Sequence, residues 1–154
     1  MKKTTIAIIN WNGISWLKTT LPKMIEYSKE ANIVLIDNNS SDKSISFTEK
    51  NFKKIKIIKH KNNYGFAKGY NKAIKEIKSK YILLLNNDVL VTKNWLKPLI
   101  SFLESNENFS VVQPKIKDLN NKKYFEYSGA AGGFIDFFGI PFCRGRIGNK
   151  LEKD

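Results

Sequence analysis

Short apolar runs alternate with stretches of helical period along most of this chain. Five runs stand out: Ile6-Ala7-Ile8-Ile9, Ile33-Val34-Leu35-Ile36, Ile55-Lys56-Ile57-Ile58, Tyr81-Ile82-Leu83-Leu84-Leu85 and Phe109-Ser110-Val111-Val112. Four are nearly continuous and rich in β-branched residues, which is how strands covered on both faces of a parallel sheet read. The third has Lys56 inside it and is placed nearer a sheet edge.

Between the runs the period changes. Leu17, Leu21, Met24 and Ile25 recur at helical spacing after Gly13, with Pro22 predicting a kink or a late helix start. Ser41-Asp42 offers an N-cap to a less regular segment reaching Phe52. Phe66, Tyr70, Ala73, Ile74 and Ile77 form a clear stripe, and Trp95, Leu96, Leu99, Ile100 and Leu103 form another, with Pro98 in its first turn. Strands alternating with helices predict right-handed βαβ units and an α/β fold, a three-layer sandwich about a mostly parallel central sheet. The expected division is an α/β domain over residues 1–118 and a hairpin or loop extension over 119–154. The Gly- and aromatic-rich stretch from Gly129 to Gly148 reads as part of that extension.

Polar residues gather directly after three of the runs. Asn10-Trp11-Asn12 follows the first, Asp37-Asn38-Asn39 the second, and Asn86-Asn87-Asp88 the fourth. Ordinary turn chemistry also favours Asn and Asp. Open parallel sheets, however, bind ligands at the carboxyl ends of their strands, and three such clusters on one rim predict a binding site. Asp88 emerges after Leu83-Leu84-Leu85 and two amides, so its carboxylate is expected to leave the sheet edge for solvent. One Asp among amides suits a Mg2+ or Mn2+ ion shared with a diphosphate better than a cage of protein ligands. Asn63-Tyr64-Gly65-Phe66-Ala67-Lys68-Gly69-Tyr70-Asn71 is a glycine-containing turn into a helix, where backbone amides and Lys68 can face an anion. It has neither dinucleotide-fingerprint nor Walker spacing, and by itself reads equally as a capped helix with small residues for close packing.

Composition narrows the function class. Of 27 basic residues only Arg144 and Arg146 are arginines, leaving 25 lysines in a chain of net charge +13. Dispersed Lys with little Arg argues against nucleic-acid recognition. It leaves a solvated basic surface, or a preference for anionic membrane surfaces or polyanions. No apolar run is long enough to span a bilayer, and the four residues Ile6 to Ile9 are too few for a signal-peptide core, so a cytoplasmic protein is expected. One histidine, His60, and one cysteine, Cys143, exclude a histidine or cysteine zinc cluster. His60 is expected at the surface and Cys143 in a structural role. Phe134, Phe137, Phe138 and Phe142 are candidates for an acceptor groove or for packing.

Taken in order, Ile8-Ile9-Asn10-Trp11-Asn12-Gly13, Val34 through Asp42, Asn63 through Asn71 and Leu84-Leu85-Asn86-Asn87-Asp88 resemble family 2 glycosyltransferases of the GT-A fold, near the rhamnosyltransferase-like members. The resemblance runs from Ile6 to about Gly148. It implies a Rossmann-like nucleotide-binding half. Asn10 and Asn12 would line the nucleotide pocket and Asp37 would hydrogen-bond the base. Asn63, Gly65, Lys68, Gly69 and Asn71 would cradle the nucleotide and diphosphate. Asn86-Asn87-Asp88 stands at the family's Asp-x-Asp position, with Asp88 on the metal and Asn86 replacing a carboxylate. The tail from Gly132 through Arg146 looks like the segment before the acceptor half. The implied donor is a nucleoside-diphosphate sugar and the implied acceptor a saccharide or lipid-linked saccharide, with transfer by inversion in cell-surface polysaccharide synthesis. Such a role places the protein in the cytoplasm or at the inner face of the membrane, with peripheral association.

Relatives of this kind continue for roughly another hundred residues, the size of an added sub-domain. That portion carries the acceptor site and the general base. Nothing here matches the base motif, and neither Glu126 nor Asp136 is assigned to it. A truncated, inactive remnant is therefore a competing expectation, and a basic polyanion-binding module a third.

Overall fold

β1 (Thr4–Asn10) runs up the middle of a parallel sheet, between β2 (Ala31–Asp37) on one side and β4 (Tyr81–Asn86) on the other. β3 (Lys56–Lys59) pairs with β2, giving the order β3-β2-β1-β4. The computed structural model describes residues 2–126, 132–143, 146–147 and 150–151. They fall into two compact units, Met1–Asn94 and Trp95–Asp154.

Side-chain alternation explains how the first unit is built. Ala7, Val34, Ile36 and Ile58 share a buried cluster with Tyr70 and Ala73 of α3 (Gly65–Ile74). Their neighbours Ile6, Ile8 and Leu35 are also buried and point to the other face. The right-handed crossover rule assigns that face to α1 (Ile14–Tyr27) and α2 (Ser44–Asn51), since β1, β2 and β3 step one way across the sheet. The step from β3 back past β1 to β4 carries α3 to the opposite face. The expected α/β class with a parallel sheet is what the chain adopts.

Local chemistry sets the helix ends. Pro22 lies inside α1, yet the helix starts at Ile14, so the late start does not occur. Leu17, Leu21 and Met24 are buried as their spacing predicts. Asp42 serves two helices at once. Its Oδ1 accepts the backbone N–H of Ser44 at 2.9 Å and the Ser44 hydroxyl, and its Oδ2 accepts the N–H of Ile14 at 3.0 Å, 28 residues earlier in the chain. One carboxylate thus satisfies first-turn donors of α1 and α2 that the helices cannot satisfy themselves.

Two strand expectations need correction. Phe109–Val112 forms no strand; Val111 is 81% exposed and the segment leads to a single antiparallel bridge between Lys117 and Phe125. β4, expected to be covered on both faces, is a sheet edge among the described residues, with Leu84 exposed and the rest of its apolar side chains only half-buried. β3, with Lys56 in it, is the other edge, as expected.

In the second unit, α4 (Leu96–Ser105) is followed by a hairpin of β5 (Gly133–Ile135) and β6 (Pro141–Cys143) and a smaller antiparallel pair, β7 (Arg146–Ile147) and β8 (Lys150–Leu151). Phe134 stacks on Phe142 across the hairpin at 5.4 Å, while Phe137 and Phe138 at its turn are exposed. Arg144, Gly145 and Gly148 of the tail motif lie outside the described residues, as does Gly129.

Candidate functional site

The parallel register brings three polar clusters to one edge. Asn10 is level with Asp37, and Ile9 with Asn86, so β1, β2 and β4 end together. Strand order reverses between β1 and β4, which is where ligand crevices open in sheets of this kind.

A continuous set of hydrogen bonds ties the rim together. Asn87 donates its side-chain amide to Oδ1 of Asn10 at 2.7 Å, and Asn10 donates to the Ser40 hydroxyl at 3.1 Å. That hydroxyl also accepts the backbone N–H of Asn12 at 2.9 Å. The Asn12 side-chain oxygen accepts the N–H groups of Ser41 (2.8 Å) and Asp42 (3.2 Å). Asn12 does this from a left-handed conformation, φ 49°, which Asn tolerates better than most residues. The loops after β1 and β2 are therefore locked to each other.

Asn38 performs the same task toward α3. Its amide donates to the Asn63 side chain at 2.7 Å and to the Gly65 carbonyl at 3.0 Å, and its oxygen accepts the Tyr64 N–H at 3.0 Å. The Asn63 oxygen also accepts the Gly65 N–H at 2.9 Å, across a turn where Gly65 takes φ 71°. The N-terminus of α3 is thereby pinned to the end of β2, with its first-turn amides at the rim.

Asp37 is the exception in this satisfied network. The residue is 4% exposed; Oδ2 accepts the Ser40 N–H at 3.2 Å, and Oδ1 is buried with no hydrogen-bond partner. Its backbone is fixed as well, the carbonyl accepting the His60 N–H at 2.9 Å. His60, expected at the surface, is half-buried here, with Nε2 3.0 Å from the Gly69 carbonyl and its ring 5.4 Å from that of Tyr64.

Of the residues predicted for the site, Asn10, Asn12, Asn63, Gly65 and Asn87 share this network, and Asp37 joins it through Ser40. Asn86 and Asp88 stand exposed at the end of β4. Lys68 and Asn71 are exposed on α3, with the Lys68 ammonium 5.4 Å from the Tyr64 ring. Gly69 is buried, and a Cβ there would come within 2.7 Å of Cδ1 of Ile9, so its smallness lets α3 sit on β1.

Four contributors were not singled out from sequence. Gly13 has no room for a side chain, since a Cβ would fall on the Asn87 amide and 2.5 Å from Oδ1 of Asn10. The Thr20 hydroxyl of α1 lies 2.9 Å from the Asn87 carbonyl, holding the turn after β4. Ser40 is the shared acceptor described above. The Tyr70 hydroxyl accepts the Ile9 N–H at 3.3 Å and lies 2.8 Å from the Leu85 carbonyl, bridging β1 and β4 below the crevice. Burial pushes its pKa up to about 12. Only Gly13, next to an Asn-Trp-Asn cluster, carried a sequence signal for its role.

Comparisons with known proteins identify the family and the fold. The sequence profile of Glycosyl transferase family 2 matches residues 5–151. An uncharacterized glycosyltransferase of Rickettsia conorii is 33% identical over 139 residues, covering 86% of this chain and 23% of its own length. A bifunctional glycosyltransferase of Dictyostelium discoideum is 30% identical over 126 residues, covering 77% of this chain and 16% of its own. The chain thus spans about a quarter or less of these relatives. Among solved structures, Staphylococcus aureus TarS superposes with a TM-score of 0.67 at 22% identity, over 77% of this chain and 22% of TarS. A Pyrobaculum calidifontis mannosyltransferase, solved with GDP-Man and Mn2+, gives 0.59 at 15% identity, over 75% of this chain and 34% of its own. These structural likenesses concern the fold.

Proposed function

Because this chain belongs to glycosyl transferase family 2, we propose that its rim holds the nucleoside-diphosphate part of a sugar donor for transfer to an acceptor hydroxyl. The observation that carries this reading is Oδ1 of Asp37, buried and unpartnered at the edge of a network in which the neighbouring amides are satisfied. Leaving such an oxygen unpaired costs on the order of 1–3 kcal/mol or more. An N–H or hydroxyl of a nucleoside entering from the rim removes that cost. The fixed amides of the α3 N-terminus and Lys68 suit the diphosphate.

A divalent cation fits Asp88. Its exposed carboxylate, two residues after the exposed Asn86, offers hard oxygen donors too few for a closed cage and suited to an ion shared with a diphosphate and water. Mg2+ or Mn2+ bound there would supply charge neutralisation for the departing diphosphate. In the transfer, the acceptor oxygen bonds to the anomeric carbon as the sugar–diphosphate bond breaks, with inversion, and the acceptor proton passes to a general base assigned to no residue here. The proposed acceptor is a saccharide or lipid-linked saccharide in cell-surface polysaccharide synthesis, on the cytoplasmic side. Among neighbours, TarS has been solved with UDP-GlcNAc and the Pyrobaculum enzyme with GDP-Man, so rhamnose is one of several donor sugars to compare.

Calorimetric titration of UDP, GDP and dTDP, with and without Mn2+, tests the proposal. One diphosphate is expected to bind, Asp37→Asn weakening it with or without metal and Asp88→Ala abolishing only the metal-dependent gain. Failure of all three to bind folded protein, or wild-type affinity in both variants, overturns it.

A further inference from the structure

At the opposite edge of the sheet, where β1, β2 and β3 begin and α1, α2 and α3 run out, the first unit carries a cavity that none of the rim residues lines. Its volume is about 900 Å3, within the range of ligand-binding clefts. The floor is aliphatic, with Ile25, Ile33, Ile55 and Ile77 in its lining, and Phe52 supplies the one aromatic ring. Around it stand Lys29, Lys50, Lys53, Lys54 and Lys78, and among the described residues none of these five is in an ion pair. Lys2 and Lys56 also line the groove, donating to the carbonyls of Ala31 (2.9 Å) and Glu76 (3.3 Å). Glu76 is the one acidic side chain in the lining.

Lysines do gather at helix C-termini, where each macrodipole presents about half a negative charge. Three such ends and one Glu still leave roughly four of the seven positive charges unbalanced. The occupant that matches is an anion, and the aliphatic floor adds that it is an amphiphile. A nucleic acid fits less well: base stacking needs aromatic platforms, and arginine, absent from this lining, is the usual partner of base edges and phosphates.

We propose that this groove docks the chain on an anionic lipid surface, phosphate headgroups meeting the lysines and acyl-chain segments meeting the aliphatic floor. The seven residues of β1 separate the groove from the nucleotide rim by about 20 Å. Docking there leaves the rim facing water, open to a soluble ligand. The inference stands on the groove itself and does not depend on the donor reading.

Co-sedimentation of the full chain with vesicles tests it, comparing phosphatidylglycerol-containing with pure phosphatidylcholine vesicles at low and high salt. Binding is expected only to the anionic vesicles and is expected to fall with salt. Lys50/Lys53/Lys54→Gln should weaken it on the order of a hundredfold, and Lys29/Lys78→Gln, which removes two charges instead of three, should weaken it less. Lys18/Lys43/Lys61→Gln removes equal charge from exposed positions elsewhere and should retain binding within a few-fold. Matching melting curves for the three variants exclude unfolding as the cause. Absence of binding to anionic vesicles, or equal losses in the groove and control triples, overturns the proposal. Tighter binding to a single-stranded RNA oligonucleotide, lost in the same groove variants, also overturns it, in favour of a nucleic-acid partner.

Discussion

The side-chain amide of Asn87, just past the end of β4, donates to Oδ1 of Asn10 at the end of β1 at 2.7 Å. Two residues 77 positions apart thereby tie the ends of β1 and β4 together where strand order reverses. Gly13 lies against this bond, with no space for even a methyl group. Its φ of −108° is one any residue can adopt, so the constraint is steric and not conformational. Gly13→Ala is therefore expected to break the bond and cost about 1–3 kcal/mol. In an Asn87→Ala background the same substitution should cost less, because one of the two clashing groups is gone. Urea denaturation of the four proteins of this cycle measures the coupling; additive costs would mean that Gly13 and Asn87 do not interact.

Tyr70 gives a second test. Its hydroxyl stands between Ile9 N–H and Leu85 carbonyl, two groups that the β1–β4 register also brings together, so Tyr70→Phe removes the hydroxyl's own buried hydrogen bonds at an otherwise unchanged packing site. A loss of about 1 kcal/mol is expected. Burial holds the phenol at about 12, above the ordinary 10. The sign follows: the Tyr70 contribution is complete below pH 10 and is lost as pH rises toward 12. The stability difference between wild type and Tyr70→Phe should accordingly be flat from pH 7 to 9 and shrink above 10, measured by chemical denaturation at each pH.

How much of this was legible before folding depends on the range over which each signal acts. Asn10, Asp37 and Asn87 could be placed on one rim because each belongs to a polar cluster that directly follows an apolar run, and parallel strands start and stop together. Phe109–Val112 carries the same β-branched signature and forms no strand, since a four-residue run with three apolar side chains says nothing about whether a partner strand lies beside it. Leu84 looked buried for the same reason, and its exposure reflects an edge position that only topology sets. Tyr70 fell on a helical stripe and read as core, which it is. Its bridging hydroxyl depends on the spacing between two strands and a helix, invisible to periodicity. The unpartnered oxygen of Asp37 is likewise a property of the assembled loops.

Asp42 links the two helices that flank one face, and its acid titration reports on them. Burial alone would raise its pKa, but hydrogen bonds from the Ser44 hydroxyl and from the backbone of Ser44 and Ile14 outweigh that and hold it below the ordinary carboxylate value of 3.8. A depressed pKa means stability that is present above 3.8 and lost as pH falls through the folded value. Asp42→Ala is expected to cost about 1–2 kcal/mol at pH 7, the loss of a capping acceptor at two helix starts. That cost should diminish below pH 3.8, since the wild type then loses the same charge-assisted bonds. Thermal melts of both proteins from pH 7 to pH 3 follow it; a difference independent of pH would show that the carboxylate charge is not what holds the caps.

Gly65 and Gly69 lie four residues apart in α3 and are expected to fail differently. Gly65 adopts φ 71° in open space, so Gly65→Ala meets no atom but places a Cβ in the left-handed region, at a cost of about 1–2 kcal/mol. Gly65→Asn should recover part of that, as Asn tolerates the conformation. Gly69 has an ordinary helical backbone, and its added methyl would press on Cδ1 of Ile9, the far end of a side chain that can turn aside. A smaller loss is expected there, relieved by Ile9→Val in the same protein. If Gly65 also shapes the diphosphate cradle, Gly65→Ala weakens nucleotide affinity while Gly69→Ala does not. Paired denaturation and binding titrations separate the two glycines; equal loss of affinity in both would return Gly69 to the binding surface.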